Sequence, residues 1–438
     1  MSPAGPAPAD VSDAARAMLG ELVSSYAARH PDWDPEATVE VIEVEPMLGG
    51  RPGIVDVVAR LGSRTVHVPF GLRTPGEEGR FVPEGEDAVL GTFDDGRGPV
   101  VAFEATRDVE VAVMLLQLVS EATADAALVR PVSEDAGATT LAFDDRLAFT
   151  VYHEVVDGAR PDLELFLALD EVGFNHLAAP VAVWRRHGRD LGLVQEYLPG
   201  ASSGSALALT SVRDLYASGG PPELAGGDFG AEAHRLGTMA ARMHVCLDKA
   251  FGHDMVDVGP WAEEIRAAVG AVAPEELGRP ETEELLDELG GLRLSSPVIR
   301  THGDFHLGRT SRTEQGWYVV DFAPAARPAT TIGAAPRGGE GGPVLRPAVA
   351  DVADMLWSFG VVAGAAADER DPSGRDGLAE LARAWVTRNR RAFLAGYLGV
   401  PGISALVPPG RDALRVFTAA LELVRSVVHG ARRGDGPS

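Results

Sequence analysis

The hydrophobic pattern changes period several times along this chain, and those changes divide it. Residues 14–28 place Met18, Leu19, Leu22 and Val23 at helical spacing, which predicts an amphipathic helix. Residues 39–44, 54–59 and 65–70 are rich in valine and isoleucine, with turn residues between them. They predict a small antiparallel sheet, and residues 86–106 continue it as short strands. From 108 to 128 the spacing of Val111, Met114, Leu115, Leu118 and Val119 returns to 3.6 and predicts a long helix. Residues 138–156 predict a hairpin turning at Asp144-Asp145, and a helix opens at Pro161-Asp162. Residues 181–184 and 191–197 predict a second hairpin. After Pro199 helical spacing dominates, at 205–217, 229–248, 259–270 and 281–289, and again at 350–366, 376–398 and 410–433. Between these sets, residues 298–322 hold two short strands around a loop. Residues 323–349, rich in Gly, Ala, Pro and Arg, read as an insertion. The pattern predicts an α+β chain in three parts: a β-rich module at 1–105, an α+β lobe at 106–199 and a helical lobe at 200–438.

Charge and composition narrow the function. The 438 residues carry 64 Asp and Glu against 39 Lys and Arg, a net charge of −25. A chain this acidic repels phosphate backbones and anionic lipid, so the expectation is no nucleic-acid and no membrane partner. Of the basic residues only Lys249 is a lysine, and it follows Leu247-Asp248 rather than a glycine, which excludes a P-loop NTPase. The single cysteine, Cys246, excludes an intrachain disulfide, a redox pair and a multi-cysteine zinc site. The first thirty residues lack a basic region followed by an apolar one, and no apolar run reaches the roughly 18 residues of a membrane span. These features predict a reduced, soluble, cytoplasmic protein.

Candidate chemistry concentrates in Thr301-His302-Gly303-Asp304-Phe305-His306-Leu307-Gly308-Arg309 and in the strand Trp317-Tyr318-Val319-Val320 that ends at Asp321. A loop carboxylate and a strand-end carboxylate can meet at the mouth of a site, one accepting a hydroxyl proton while the other holds Mg²⁺ against phosphate. The competing reading is a His- and Asp-rich surface turn. His302, Asp304 and His306 alternate as a strand-borne metal set would, but Gly303 and Gly308 argue for loop instead. Gly200-Ala201-Ser202-Ser203-Gly204 matches a nucleophile elbow and marks Ser202 as a distant hydrolase candidate; it also describes a plain linker. The strand ending Gln195-Glu196-Tyr197-Leu198 offers backbone groups to an adenine edge. His244, on the 229–248 helix, and Trp385, Phe393 and Tyr397 read as core.

Taken in order, these residues resemble the maltokinase family within the aminoglycoside-phosphotransferase and protein-kinase-like fold. The likeness runs through Asp144-Asp145-Arg146-Leu147, Pro161-Asp162-Leu163-Glu164, Val194-Gln195-Glu196-Tyr197 and the segments 236–244 and 302–308. It continues through Gly316 to Phe322, Arg327-Pro328, Asp351-Val352-Ala353-Asp354-Met355-Leu356 and Phe393 to Tyr397. The resemblance implies a bilobal fold with an N-terminal cap, ATP and Mg²⁺ as cofactors and a small sugar as substrate, maltose or a relative such as glucosamine. It implies Asp304 as catalytic base, Asp321 as Mg²⁺ ligand, and Glu164 as the helix glutamate that pairs with a phosphate-binding lysine. It further implies Gln195, Glu196, Tyr197 and Leu198 as the adenine hinge, with His302 and His306 near the sugar.

Three positions depart from that family together. Thr150 stands where the phosphate-binding lysine is expected, Arg309 where a Gln or Asn helps bind Mg²⁺, and Ala323 where a second acidic ligand is expected. Phosphoryl transfer depends on positioning and on neutralising phosphate charge, so this joint loss predicts weakened or absent kinase activity. For Arg309, beside the phosphates, two outcomes stand open: partial compensation as a cation, or repulsion of Mg²⁺. The alternative class is a pseudokinase that binds sugar or nucleotide as a regulatory protein.

Overall fold

The computed structural model describes residues 13–30, 33–34, 36–77, 88–120, 128–134, 137–224, 227–322, 335–336, 344–370 and 376–434. The chain forms two compact units, Met1–Arg160 with Ala178–Pro199, and Pro161–Leu177 with Gly200–Ser438. The segment opened by Pro161-Asp162, expected within the lobe 106–199, therefore groups with the helical part.

In the first unit helix α1 (Asp13–Ala27) covers a sheet of β1 (Val39–Leu48), β2 (Gly53–Leu61), β3 (Arg64–Arg73), β4 (Val89–Asp94) and β5 (Pro99–Glu104). The order is β1-β2-β3-β5-β4, antiparallel throughout. Its core joins Leu19, Leu22, Val23 and Tyr26 of the helix to Val57, Ala59, Val66, Val68 and Phe70 of the strands. Helix α2 (Val109–Ser120) follows. Its start is set by Asp108, whose carboxylate accepts from the Val111 amide at 3.0 Å and from the buried Arg73 at 2.6 and 2.9 Å.

The second sheet contains β6 (Val129–Glu134), β7 (Ala138–Phe143), β8 (Leu147–Tyr152), β9 (Pro180–Arg186) and β10 (Arg189–Glu196), in the order β6-β7-β8-β10-β9. The helix expected over 108–128 is present over Val109–Ser120; residues 121–127 lie outside the described residues, and Leu128 leads into a strand. Both hairpin turns put non-glycine residues at positive φ, Asp144 at 50° and Asp145 at 52°, then His187 at 47° before Gly188 at 78°. Paired positive φ values match the twist of the flanking strands. Buried Asp56 links the two sheets, accepting from His67 Nε2 at 2.7 Å and contacting Arg186 Nη1 at 2.6 Å.

The second unit begins with α3 (Pro161–Glu171). Then come β11 (Ser202–Ser203), α4 (Gly204–Ser218), α5 (Gly230–Phe251), β12 (Asp254–Asp257), α6 (Trp261–Val272), α7 (Pro274–Leu277), α8 (Pro280–Gly291) and β13 (Ser295–Val298). A small sheet β11-β14-β15, with β14 (Thr310–Arg312) and β15 (Trp317–Val319), carries the candidate loop. The pairs β12–β13 and β16 (Ala335–Pro336)–β17 (Val344–Leu345) were not expected from the pattern; at two to four residues they are too short to show a period. Most of the insertion at 323–349 lies outside the described residues. The chain ends with α9 (Val349–Arg370), α10 (Asp376–Leu398) and α11 (Arg411–Gly434).

By length and composition α9 meets the requirement for a membrane span, which the sequence was not expected to contain. It is buried on nearly every side, and its buried Asp351, Asp354 and Ser358 contact other parts of the second unit, which is the character of a core helix.

Helices α5 and α10 approach closely because each presents a glycine to the other. A Cβ at Gly237 would lie 2.0 Å from the Phe393 carbonyl oxygen, and one at Gly396 would lie 2.0 Å from that of His234. Neither contact can relax by rotating a side chain. Gly237→Ala and Gly396→Ala should each destabilise the protein by about 1–3 kcal/mol, read as a lower urea midpoint. Gly360→Ala on α9, with nothing within 4 Å, should be neutral or slightly stabilising.

Candidate active site

The loop 302–309 is suspended from helix α9. Asp351 and Ser358 lie seven residues apart on that helix and so share a face. The Asp351 carboxylate accepts from the His302 amide at 2.8 Å and the Gly303 amide at 3.0 Å, and the Ser358 hydroxyl accepts from the Leu307 amide at 3.2 Å. Gly303 sits at φ +87°, a conformation that suits glycine and turns both amides toward one carboxylate.

Asp351 is itself held from behind. His244 Nε2 lies 3.0 Å from its Oδ2, while His244 Nδ1 meets the Tyr397 hydroxyl at 2.8 Å. All three side chains are fully buried. Burial alone would raise the Asp351 carboxyl, but the hydrogen bond from His244 and the nearby Arg346 guanidinium hold it below the usual carboxylate value.

Asp304 projects from the middle of this loop and is only 3% exposed. Its Oδ1 accepts from Arg425 of α11 at 2.6 Å, and its Oδ2 lies 3.5 Å from Arg309 and 3.6 Å from His306. Burial opposes ionisation here too, yet the hydrogen bonds from His306 and Arg425 dominate and push the carboxyl far below its ordinary range. Asp321 lies two residues past β15 at φ +53°, largely exposed, with Oδ2 at 3.3 Å from Arg309 Nη1. The two carboxylates therefore share one guanidinium.

The remaining expected residues fall as follows. His302 is fully buried and stacks on Phe322 at 4.8 Å, with Nε2 near the Val320 carbonyl at 3.4 Å. Burial lowers its pKa, and its ring packs inside the fold. His306 is partly exposed, with Nδ1 accepting from the Gly308 amide at 3.0 Å. Glu164, expected beside a lysine, pairs with Arg300 at 2.8 Å. Lys249, the chain's one lysine, instead donates to the Val172 carbonyl just beyond α3, at 3.4 Å. Ala323 lies outside the described residues.

In the first unit, Thr150 exchanges a hydrogen bond with Thr140 at 2.9 Å. In the expected hinge strand two backbone donors are taken up within the unit. The Glu196 amide donates to the Ala179 carbonyl and the Tyr197 amide to the Arg146 carbonyl, both at 2.8 Å, so neither N–H is open to an adenine edge. Gln195 of β10 pairs with Ala148 of β8, and the Tyr197 hydroxyl accepts from Arg130 at 2.7 Å. Leu198 follows that strand. Ser202 lies in a short antiparallel bridge opposite Arg312 and is absent from the positions with strained backbone, so the tight elbow of a hydrolase nucleophile is not formed.

A tightly held Mg²⁺ needs near-octahedral oxygen ligands at about 2.0–2.1 Å. Here the space between Asp304 and Asp321 holds a guanidinium, which has positive charge and no lone pair. Among the described residues no three His, Cys, Asp or Glu side chains gather as a metal set. The residues present do not fit Mg²⁺ bound through Asp321.

Pattern reading missed Arg425, Arg346 and Asp354. Arg346 donates to the Gly303 carbonyl at 3.2 Å. Arg425 lies over the Trp357 ring and reaches Asp354 at 3.5 Å. A usable signal did exist: Asp351, Asp354 and Ser358 form a polar face on an otherwise apolar helix. Burial pushes the Asp354 carboxyl up to about 7, because the strong bond of Arg425 goes to Asp304 and the contact to Asp354 is long.

Comparison with known proteins agrees with this architecture. No protein-family profile matches the chain. A glucosamine kinase from Streptacidiphilus jiangxiensis is 33% identical over 230 residues, 47% of this chain and 46% of that protein, so the match spans about half the length of the relative. A solved glucosamine kinase in complex with glucosamine, ADP and inorganic phosphate is 22% identical with a TM-score of 0.60, over 94% of both chains. A second crystal form of a glucosamine kinase aligns with the same score at 21% identity, over 94% of this chain and 93% of its own. The chain has the α+β, two-unit kinase-like fold of these phosphotransferases.

An aspartate whose pKa is raised on folding stabilises the protein while protonated, and that stability is lost as pH rises toward the folded value. The wild-type melting temperature should therefore fall between about pH 4 and pH 7 through Asp354, and Asp354→Asn should flatten that fall. An unchanged slope in the variant would remove Asp354 as its source.

Proposed function

We propose that this protein is an ATP-dependent sugar phosphotransferase, with glucosamine as the first candidate acceptor. The observation that carries the reading is the ionised Asp304, presented on a loop whose backbone is clamped by Asp351. The similarity to a glucosamine kinase over half the chain favours an amino sugar over maltose.

In this reading a sugar hydroxyl donates to the Asp304 carboxylate. The hydroxyl oxygen attacks the γ-phosphorus of ATP, the bond from phosphorus to the bridging oxygen breaks, and ADP leaves with that electron pair. Asp304 takes the proton. Its depressed pKa makes it a weak base, which suits a loose transition state in which orientation of the hydroxyl matters more than early proton removal. Arg309 supplies positive charge beside the transferring group. Arg425 and His306 hold the Asp304 side chain in position.

A second reading, a pseudokinase that binds sugar or nucleotide without transfer, is favoured by Thr150 and its bond to Thr140 where a phosphate-binding cation is expected. Nucleotide-dependent ADP release, assayed with glucosamine, glucose, maltose and aminoglycosides, separates the two. The kinase reading predicts turnover with glucosamine and a loss of roughly 10²–10⁴-fold in Asp304→Asn, with the variant's circular dichroism unchanged. No turnover with any acceptor, together with a rise in melting temperature on adding ATP or glucosamine, would establish the pseudokinase instead.

A further inference from the structure

The backbone pairing places Arg309 beside Asp321. Thr310 pairs with Val319 across the hairpin, and the Val320 amide donates to the Arg309 carbonyl at 3.0 Å. Arg309 is further fixed by its own amide, which donates to the His306 carbonyl at 2.8 Å and closes a turn at the loop's end. From this position Nη1 reaches Asp321 at 3.3 Å and Nη2 reaches Asp304 at 3.5 Å. Its Nε is buried and has no hydrogen-bond partner among the described residues. The guanidinium is thus held by its two carboxylates and by the hairpin register.

From this geometry we propose that Arg309 is the resident cation of the site, occupying the place of a divalent metal between Asp304 and Asp321, so that nucleotide phosphate binds without a metal ion. The proposal rests on the nucleotide-binding reading given above. Three considerations support it. A guanidinium is permanently charged and presents paired N–H donors that match phosphate oxygens. One already bonded to both carboxylates excludes a second cation from between them by like-charge repulsion and by filling the space. Asp304 is almost fully buried and is already paired with Arg425 at 2.6 Å, so its charge is met by guanidinium groups and not by a metal.

The arrangement also assigns a specificity. A site with an intrinsic cation takes the free polyanion, whereas a metal-dependent site takes the metal–nucleotide complex. Magnesium, by complexing ATP, then competes with Arg309 for the phosphates.

Two measurements on the full chain test this. The first uses manganese chloride alone, with bound Mn²⁺ read by electron paramagnetic resonance. Wild type should show no site tighter than millimolar, and Arg309→Gln should gain one. Arg309→Lys, which keeps the charge, should behave as wild type. The second is calorimetric titration of ATP in EDTA and in excess MgCl₂. Wild type should bind at least as well in EDTA, whereas Arg309→Gln should bind about tenfold more weakly there and recover in MgCl₂. Tight Mn²⁺ binding by wild type, or wild-type ATP affinity that rises about tenfold or more with Mg²⁺, overturns the proposal. If ATP binds in neither buffer, metal-free nucleotide binding fails together with the nucleotide reading. The manganese result then still decides whether Arg309 holds the cation position.

Discussion

A single buried carboxylate organises the candidate site. Asp351 accepts two consecutive loop amides and is held from behind by His244 and Tyr397, so a chain of hydrogen bonds runs from α10 through α5 and α9 into the loop. A buried carboxylate is tolerable only when its lone pairs are satisfied, and these three donors satisfy it. The close crossing of α5 and α10 at Gly237 and Gly396 brings His244 within reach of Tyr397. Packing of apolar helices, a polar relay and the presentation of Asp304 are therefore one construction. The position of Asp304 follows from helix geometry more than from the loop's own sequence.

The second feature is the crowd of hydrogen-bond donors around Asp304. Arg425, Arg309 and His306 all approach its carboxylate, and Arg346 bonds to the preceding carbonyl. In an overall acidic protein this clustering is local and specific. It accounts for an ionised Asp304 despite burial and for the lack of a place for a metal between Asp304 and Asp321. The same arginines leave Asp354 short of a strong partner, so neighbouring carboxylates on one network are driven in opposite directions. Environments that push such pairs apart are a mark of functional sites, although structural networks do the same.

Much of this was legible in the sequence. Period-2 and period-3.6 segments gave most of the strands and long helices, because one buried face imposes its period on the residues. The hairpin turn at Asp144-Asp145 and the loop around Asp304 were also readable, the latter because Gly303 and Gly308 break any regular element. Partners supplied from distant helices were not readable. Arg425 lies 121 residues from Asp304, and nothing near either residue announces the pair. The strand at 191–197 was readable, but not the bonds that take up the Glu196 and Tyr197 amides, since strand pattern does not reveal which N–H a neighbouring carbonyl will take. Likewise the pairing of Glu164 with Arg300 followed from the helix segment joining the second unit, a matter of packing and not of local pattern.

The claim that the loop is held by Asp351 is tested most directly by amide hydrogen exchange at His302 and Gly303, comparing wild type with the near-isosteric Asp351→Asn. The account predicts slow exchange at both amides in wild type, and in the variant a loss of protection confined to residues of this loop while α5 and α10 stay protected. Equal protection in the two proteins would contradict it, and would mean that the loop carrying Asp304 is held by something other than this carboxylate.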